Sequence, residues 1–492
     1  MRRPVRNLGT AVMVLVVLLL ANLTYLQVVR AGALRNDPHN SRTLLEEYSR
    51  QRGQIIAAGG VVLARSDPSN DAFRYQRKYP GGAMYQAVTG YYSSVYGATG
   101  IERAQNGILS GDDDSLLGDQ LSDLLTGRDP RGGNVYLSLV PAVQKAAWDG
   151  LTANGYTGAV VAIKPQTGAI LAMATTPSYD PSPLASHSEA VQRRQSAIIN
   201  SSVPSPRTNR AIGAVYPPGS TFKLVVSGAA LQHGYNPQSR VTGASRITLP
   251  GGGSMSNFEN ETCGDGDGSD VTLTTALAFS CNTAFAEVGM SIGAQAIKNQ
   301  GAALGIDPDG TNVGLDVVGS RMGDMPDAAA VAQSSIGQRD VALTPLQDAV
   351  IAATIADHGT RMHPYLVQRT TRPDLSVIDS TEPVVDQQDA MPAAVADQVR
   401  DMMIESEKET PGAGQIADLV IASKTGTAEH GTDPKNTPPH AWYVAFAPAE
   451  DPQVAVAVLV ENGGNGALDA TGGKVAAPIG RSVIAAALSA GS

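Results

Sequence analysis

Ser220 and Lys223 stand three residues apart in the stretch YPPGSTFKLVV, residues 216–226. Two prolines and a glycine break the chain ahead of the serine, and an apolar run follows it. Read as a helix start, this spacing puts the hydroxyl and the amine on one face as neighbours. A serine hydroxyl is a weak nucleophile until a base takes its proton. Histidine is the usual base, yet none of the seven lies within ten residues of Ser220 or of Ser280. Lys223 can take that role only if burial or a nearby positive charge lowers its pKa. The bland alternative is a solvated lysine at a helix edge.

A lone S-x-x-K is a weak signal, since about one chance match is expected in a chain of this composition. Two further patterns give it weight. Ser280 and Asn282 form the chain's single S-x-N, and Lys424, Thr425 and Gly426 its single K-T-G, within SKTGTAEH. A glycine in that strand suits close approach of a substrate backbone. A serine at a helix N-terminus also lies beside free backbone N–H groups that can hold an oxyanion. His430 and His440 flank the third pattern and read as local structure.

The elements that must position these residues fall into two groups. GAVVAIKPQTGAILAMATTP, residues 158–177, reads as two apolar strands around a KPQTG hairpin turn. DLVIASKTGTAEH, HAWYVAFAP and QVAVAVLVEN read as three more strands near the end, before a final helix in GGKVAAPIGRSVIAAALSA. Five strands, two early and three late, enclosing a long helical insertion predict an α/β sheet built from both ends of one domain. Upstream, residues 34–50 are polar with helical character, and RGQIIAAGGVVLARS reads as strand, glycine turn and strand. Residues 67–132 are mixed and rich in glycine and aspartate. Residues 134–151 pass from a strand into an amphipathic helix with Val143, Ala146, Ala147 and Leu151 on one face. The expected organisation is an anchor over 1–33, a small module over 34–150 and a larger domain over 151–492.

The anchor reading rests on Arg2, Arg3 and Arg6 followed by 23 uncharged residues before Arg30. That length crosses a bilayer as one helix, and the basic flank stays cytoplasmic, leaving the body outside. AGA at 31–33 resembles a cleavage site, but the apolar run exceeds a signal-peptide core. With 492 residues, 42% of them hydrophobic, the chain has ample core for two or three domains. A net charge of −10 argues against nucleic acid as a partner.

Together the three patterns resemble the S-x-x-K, S-x-N and K-T-G set of penicillin-binding proteins, and the chain is similar to a class B penicillin-binding protein of actinobacterial type. YPPGSTFK is similar to the family's Y-x-P-G-S-x-x-K, and NRAIG, PSYDP, SIGQRDVALTPLQDA and HAWYVAFAP resemble its flanking stretches. RGQIIAAGGVVLA resembles the family's R-G-x-I-x-D-R-x-G-x-x-L-A, with Ala57 and Ala58 in place of the Asp-Arg pair. The resemblance implies a serine β-lactamase-like transpeptidase domain above a small pedestal. It implies Ser220 as nucleophile, Lys223 as base, Ser280 as proton relay and Asn282 on the substrate amide. It further implies Lys424 as an electrostatic partner, Thr425, Gly426 and Thr427 lining the strand that takes substrate, and the backbone N–H groups of Ser220 and Thr427 as the oxyanion hole. The implied substrate is a peptidoglycan stem peptide ending in D-Ala-D-Ala, with β-lactams as inhibitors, no cofactor or metal, and a multi-pass glycan polymerase as membrane partner.

Other readings stand beside this one. A class A β-lactamase needs a deacylating glutamate between the second and third motifs, and none lies between Glu287 and Glu382. A D,D-carboxypeptidase would use the same site with water as acceptor. A β-lactam sensor would need a cytoplasmic output module, but six residues precede the apolar span. A non-catalytic scaffold fits poorly with an intact Ser-Lys pair. DGDGSD, 265–270, looks like a calcium loop but lacks the glycine and glutamate that loop requires. The two cysteines, Cys263 and Cys281, form an even count outside the cytoplasm, which favours a disulfide over buried free thiols.

Overall fold

Residues 2–26, 30, 48–116, 131–434, 436–466 and 468–491 are described by the computed structural model. The polar helix expected over 34–50 lies, apart from its last three residues, outside the described residues, as do AGA at 31–33 and residues 117–130. Helix α1, Arg2–Thr24, includes a 19-residue span, Arg6–Thr24, of mean hydropathy 2.0 with no part buried. It is long and apolar enough to cross a membrane.

Beyond it, β1 (Ile55–Ala57) and β2 (Val61–Pro68) pair antiparallel around a 3-10 turn at Ala58–Gly60. Strand β3 (Tyr75–Lys78) pairs with β2, and β4 (Asn134–Leu137) runs parallel to β1. There follow α2 (Pro141–Thr152) and the hairpin β5 (Gly158–Ile163) and β6 (Ile170–Thr176). The insertion holds α3 (Lys223–Gln232), α4 (Leu273–Ala278), α5 (Asn282–Ala303) and α6 (Pro345–Ala356). Then come β7 (Val367–Thr371), β8 (Val377–Ser380) and α7 (Ala393–Lys408). The chain closes with β9 (Ala422–Ala428), β10 (His440–Ala447), β11 (Val454–Val460) and α8 (Ala477–Ser489).

The larger sheet has the order β9-β10-β11-β5-β6 and is antiparallel throughout, two early strands against three late ones as the sequence predicts. Its inner strands are buried on both faces, which is why they read as unbroken apolar runs. Val160, Tyr443 and Val456 face α2 and α8, while Val161, Val444 and Ala457 face α3 and α6. Each such valine contributes about 1.5–3 kcal/mol by burial.

The smaller sheet, β8-β7-β4-β1-β2-β3, takes two of its strands from residues 367–380, far along the chain. One apolar core runs from Ile55, Leu63 and Val88 to Phe222 and Leu346, so the two sheets share packing. Helix α2 lies on the larger sheet, with Val143, Ala147 and Leu151 buried against it. A boundary at 150 would cut that helix from the sheet it covers. We propose that the junction lies at Ser138–Val140, where Ser138 Oγ donates to Ile170 O at 2.8 Å. In the smaller unit the fully buried Glu102 accepts from Arg52 Nε and Arg77 Nε, both at 2.6 Å. Burial alone would raise its pKa, but the two guanidiniums hold the carboxyl below the usual range.

Candidate active site

The residues around Ser220 are fixed by their backbone before any side chain acts. Tyr216 and Leu343 exchange backbone hydrogen bonds at 2.9 Å, and Trp442 Nε1 donates to Pro217 O at 3.0 Å. Gly219 N donates to Gly337 O at 3.0 Å. Gly219 has φ +56°, and a Cβ there would stand 2.8 Å from Thr427 O, so glycine serves both the turn and the close approach to β9. Residues Gly219–Phe222 form a 3-10 turn, and the α-helix begins at Lys223 itself. Ser220 therefore sits on the tighter turn that leads into α3, half-buried at its mouth.

Lys223 is completely buried. Its Nζ lies 3.0 Å from Ser220 Oγ, 2.6 Å from Ser280 O, 3.3 Å from Ser280 Oγ and 2.9 Å from Asn282 Oδ1. Burial, with the Lys424 charge adding to it, holds the amine well below the usual lysine range. A neutral amine has two N–H donors and one lone pair. The Ser280 carbonyl and the Asn282 amide oxygen can only accept, so they take the two donors. The lone pair is left for the Ser220 hydroxyl proton.

Ser280 and Cys281 occupy the break between α4 and α5, and Asn282 is the first residue of α5. Ser280 has φ +60°, an uncommon conformation for a non-glycine residue and one that concentrates at functional sites. The break is held by a disulfide joining Cys281 to Cys263 and by Asn282 Nδ2 donating to Ser256 O at 3.3 Å.

Strand β9 brings the third pattern alongside. It is an edge strand, paired to β10 on one side, with the Ser220 turn beside it. A Cβ on Gly426 would meet Pro218 O at 2.7 Å and Trp442 Cβ at 3.0 Å. Lys424 is fully buried, donates to Thr425 O at 3.0 Å, and is pushed by burial down to about 7. It makes no hydrogen bond to Ser280 and acts on Lys223 through its charge. Thr425 and Thr427 are half-buried.

The sequence profile of the penicillin binding protein transpeptidase domain matches residues 158–485, and that of the penicillin binding protein A dimerisation domain matches residues 52–135. The chain belongs to the penicillin-binding protein transpeptidases. It is 52% identical over 497 residues to the peptidoglycan D,D-transpeptidase PbpA of Mycolicibacterium smegmatis, covering all of both chains. It is 50% identical to that of Mycobacterium tuberculosis over 492 residues, covering 99% of each. A solved ceftriaxone acyl-enzyme complex of penicillin-binding protein A from M. tuberculosis superposes with a TM-score of 0.88 at 49% identity, covering 90% of this chain and all of that one.

In this penicillin-binding protein, several residues that support the site were missed by reading motifs. Glu407 on α7 accepts from Ser423 Oγ beside Lys424, from Tyr443 Oη at 3.0 Å and from Arg481 Nε at 2.8 Å. Arg481, fully buried, also donates to the carbonyls of Thr410 and Gly412. Glu461 accepts from Tyr216 Oη at 2.7 Å and from Arg210 Nε at 2.8 Å, bracing the approach to the Ser220 turn. Glu407 and Glu461 each lie 16 or more residues from every group they bind, so no short spacing reveals them. Asp348 left a signal, as a lone carboxylate in the apolar helix PLQDAVIAATIA. His430 and His440 stack on each other at 3.7 Å and bond to neither Ser220 nor Lys223. Burial first, and then the His430 ring, push His440 down to about 3.

Proposed function

We propose that this penicillin-binding protein cross-links peptidoglycan stem peptides through an acyl-enzyme on Ser220. The observation that carries this reading is the Lys223 amine, 3.0 Å from Ser220 Oγ with both N–H groups claimed by carbonyl acceptors. As Oγ attacks the carbonyl of the penultimate D-alanine, its proton passes to the Lys223 lone pair. The backbone N–H groups of Ser220 and Thr427 hold the developing oxyanion. Ser280, whose hydroxyl is 3.3 Å from the same amine, relays the proton to the leaving D-alanine as its C–N bond breaks. Asn282 bonds the substrate amide. Lys424, Thr425 and Thr427 receive the terminal carboxylate along β9, whose free edge accepts the peptide as an added strand. A β-lactam acylates the same hydroxyl, and its ring-opened product has no amine to lose.

The α1 helix anchors the enzyme, with Arg2, Arg3 and Arg6 cytoplasmic and both folded units outside. Its partner in the bilayer is a multi-pass glycan polymerase that supplies uncross-linked strands. The test is to supply D-Ala-D-Ala stem peptides with an acceptor amine and analyse the products. A cross-linked dimer supports transpeptidation. Quantitative release of D-alanine with only the water-hydrolysed peptide would make the enzyme a carboxypeptidase.

A further inference from the structure

The turn that carries Ser220 rests on a carboxyl group that the reaction above does not use. Asp348 on α6 is fully buried. Its Oδ2 is 2.8 Å from Oγ1 of Thr221, the residue after the nucleophile, and its Oδ1 has no hydrogen-bond partner among the described residues. Thr221 Oγ1 is also 3.2 Å from Pro218 O, the carbonyl one residue before Gly219. A hydroxyl has one proton and can donate it to only one of the two. An ionised Asp348 would take that proton, leave the Pro218 contact unmade and hold a full charge on a single hydrogen bond, which is strongly unfavourable in an apolar interior. A neutral acid donates from Oδ2 to Thr221 and frees the Thr221 proton for Pro218 O, leaving unpaired only an uncharged Oδ1.

We propose that Asp348 is a positioning residue held as the neutral acid, donating to Thr221, which donates to Pro218 O, so that a buried clamp closes around the turn presenting Ser220. Burial raises this carboxyl to about 7, opposed only by the Thr221 contact. The elements packed on α6 carry His440 and Tyr443 on β10, the charged residues of α7 between Asp397 and Lys408, and Arg361, with Lys223 just beyond Thr221. None of them contributes to the shift. The clamp also sets the spacing to the substrate strand, because Thr221 Cγ2 is 3.1 Å from where a Gly426 Cβ would stand. Ionisation of Asp348 takes the Thr221 proton away from Pro218 and loosens the turn, slowing acylation on the alkaline side.

This rests on Ser220 being the acylated residue, and the experiment separates the two claims. Full-length enzyme in detergent is acylated with penicillin G across a pH series, with the adduct mapped, for wild type, Asp348→Asn and Asp348→Leu. The asparagine amide donates to Thr221 as the neutral acid does. Asp348→Asn therefore keeps its acylation rate at neutral pH to within about threefold, and its alkaline decline is shallower, since only the Lys424 titration remains. Asp348→Leu loses about tenfold or more at every pH through misplacement of the turn. The infrared difference between wild type and Asp348→Asn shows the carbonyl stretch of a protonated carboxyl below neutrality, lost on raising the pH. Absence of that band, or identical alkaline limbs in wild type and Asp348→Asn, overturns the proposal even if Asp348→Leu fails to fold. An adduct mapped away from Ser220 overturns the nucleophile assignment instead.

Discussion

Replacing Asn282 with aspartate would put a negative charge 2.9 Å from the Lys223 amine with almost no change in shape. At an effective dielectric of about 20, that pair interacts with about 6 kcal/mol, or about four pKa units on Lys223. Asn282 is only partly buried, so about half of that, some two units, is the expected rise. Wherever the raised pKa stands above the assay pH, the free-amine fraction falls about tenfold per unit of the excess, so acylation drops by up to about a hundredfold. The deficit relative to wild type shrinks by about tenfold per pH unit up to the new pKa, because raising the pH restores the amine. The assay is the second-order rate of acylation by penicillin G, followed by intact-protein mass spectrometry across pH. Asn282→Ala is the control, since it removes an acceptor without adding charge and lowers the rate without steepening its pH dependence. Equal, pH-independent losses in the two variants would refute Lys223 as a base tuned by its surroundings.

Three other outcomes follow from the same geometry. Lys424 is charged below about 7 and neutral above it, so saturation with a carboxylate-bearing β-lactam weakens as pH rises through that value. Lys424→Arg stays charged and abolishes the weakening. An unchanged pH slope in that variant would contradict this. Glu407→Gln leaves the fully buried Arg481 without its carboxylate, which costs about 3–5 kcal/mol. The melting temperature should fall by about 5–10 °C, and a neutral effect would mean the cluster is not structural. Reducing the Cys263–Cys281 bridge, which closes an 18-residue separation, removes about 3 kcal/mol of loop constraint. Because Cys281 lies between Ser280 and Asn282, acylation slows while circular dichroism stays folded, and a fully reduced enzyme with an unchanged rate would refute that coupling.

What the sequence revealed was local or periodic. The three motifs are short and fixed in spacing, and the inner strands of the larger sheet are apolar runs because both its faces are covered. The structure gathers Ser220, Lys223, Ser280 and Asn282 around one amine, although 57 residues separate Lys223 from Ser280. Long-range completion was invisible. Strands β7 and β8 have mixed, half-exposed sequences, and nothing in VQRTT or VIDS points to pairing with Asn134–Leu137. Helix α2 was amphipathic on sight, but its face does not say which sheet it covers. The tighter 3-10 turn at Ser220 and the left-handed Ser280 depend on tertiary partners, Gly337, Leu343 and the Cys263 bridge. Glu407 and Arg481 are 74 residues apart and read singly as ordinary surface charges.

That Ser220 carries the acyl group can be read directly by mapping the adduct. Full-length enzyme and its Ser220→Ala variant are incubated with penicillin G, digested and mapped by tandem mass spectrometry. The expected result is a single adduct on Ser220 in the peptide containing YPPGSTFK, and none on the variant, which stays folded by circular dichroism. An adduct on another residue, or labelling that persists in Ser220→Ala, would contradict it.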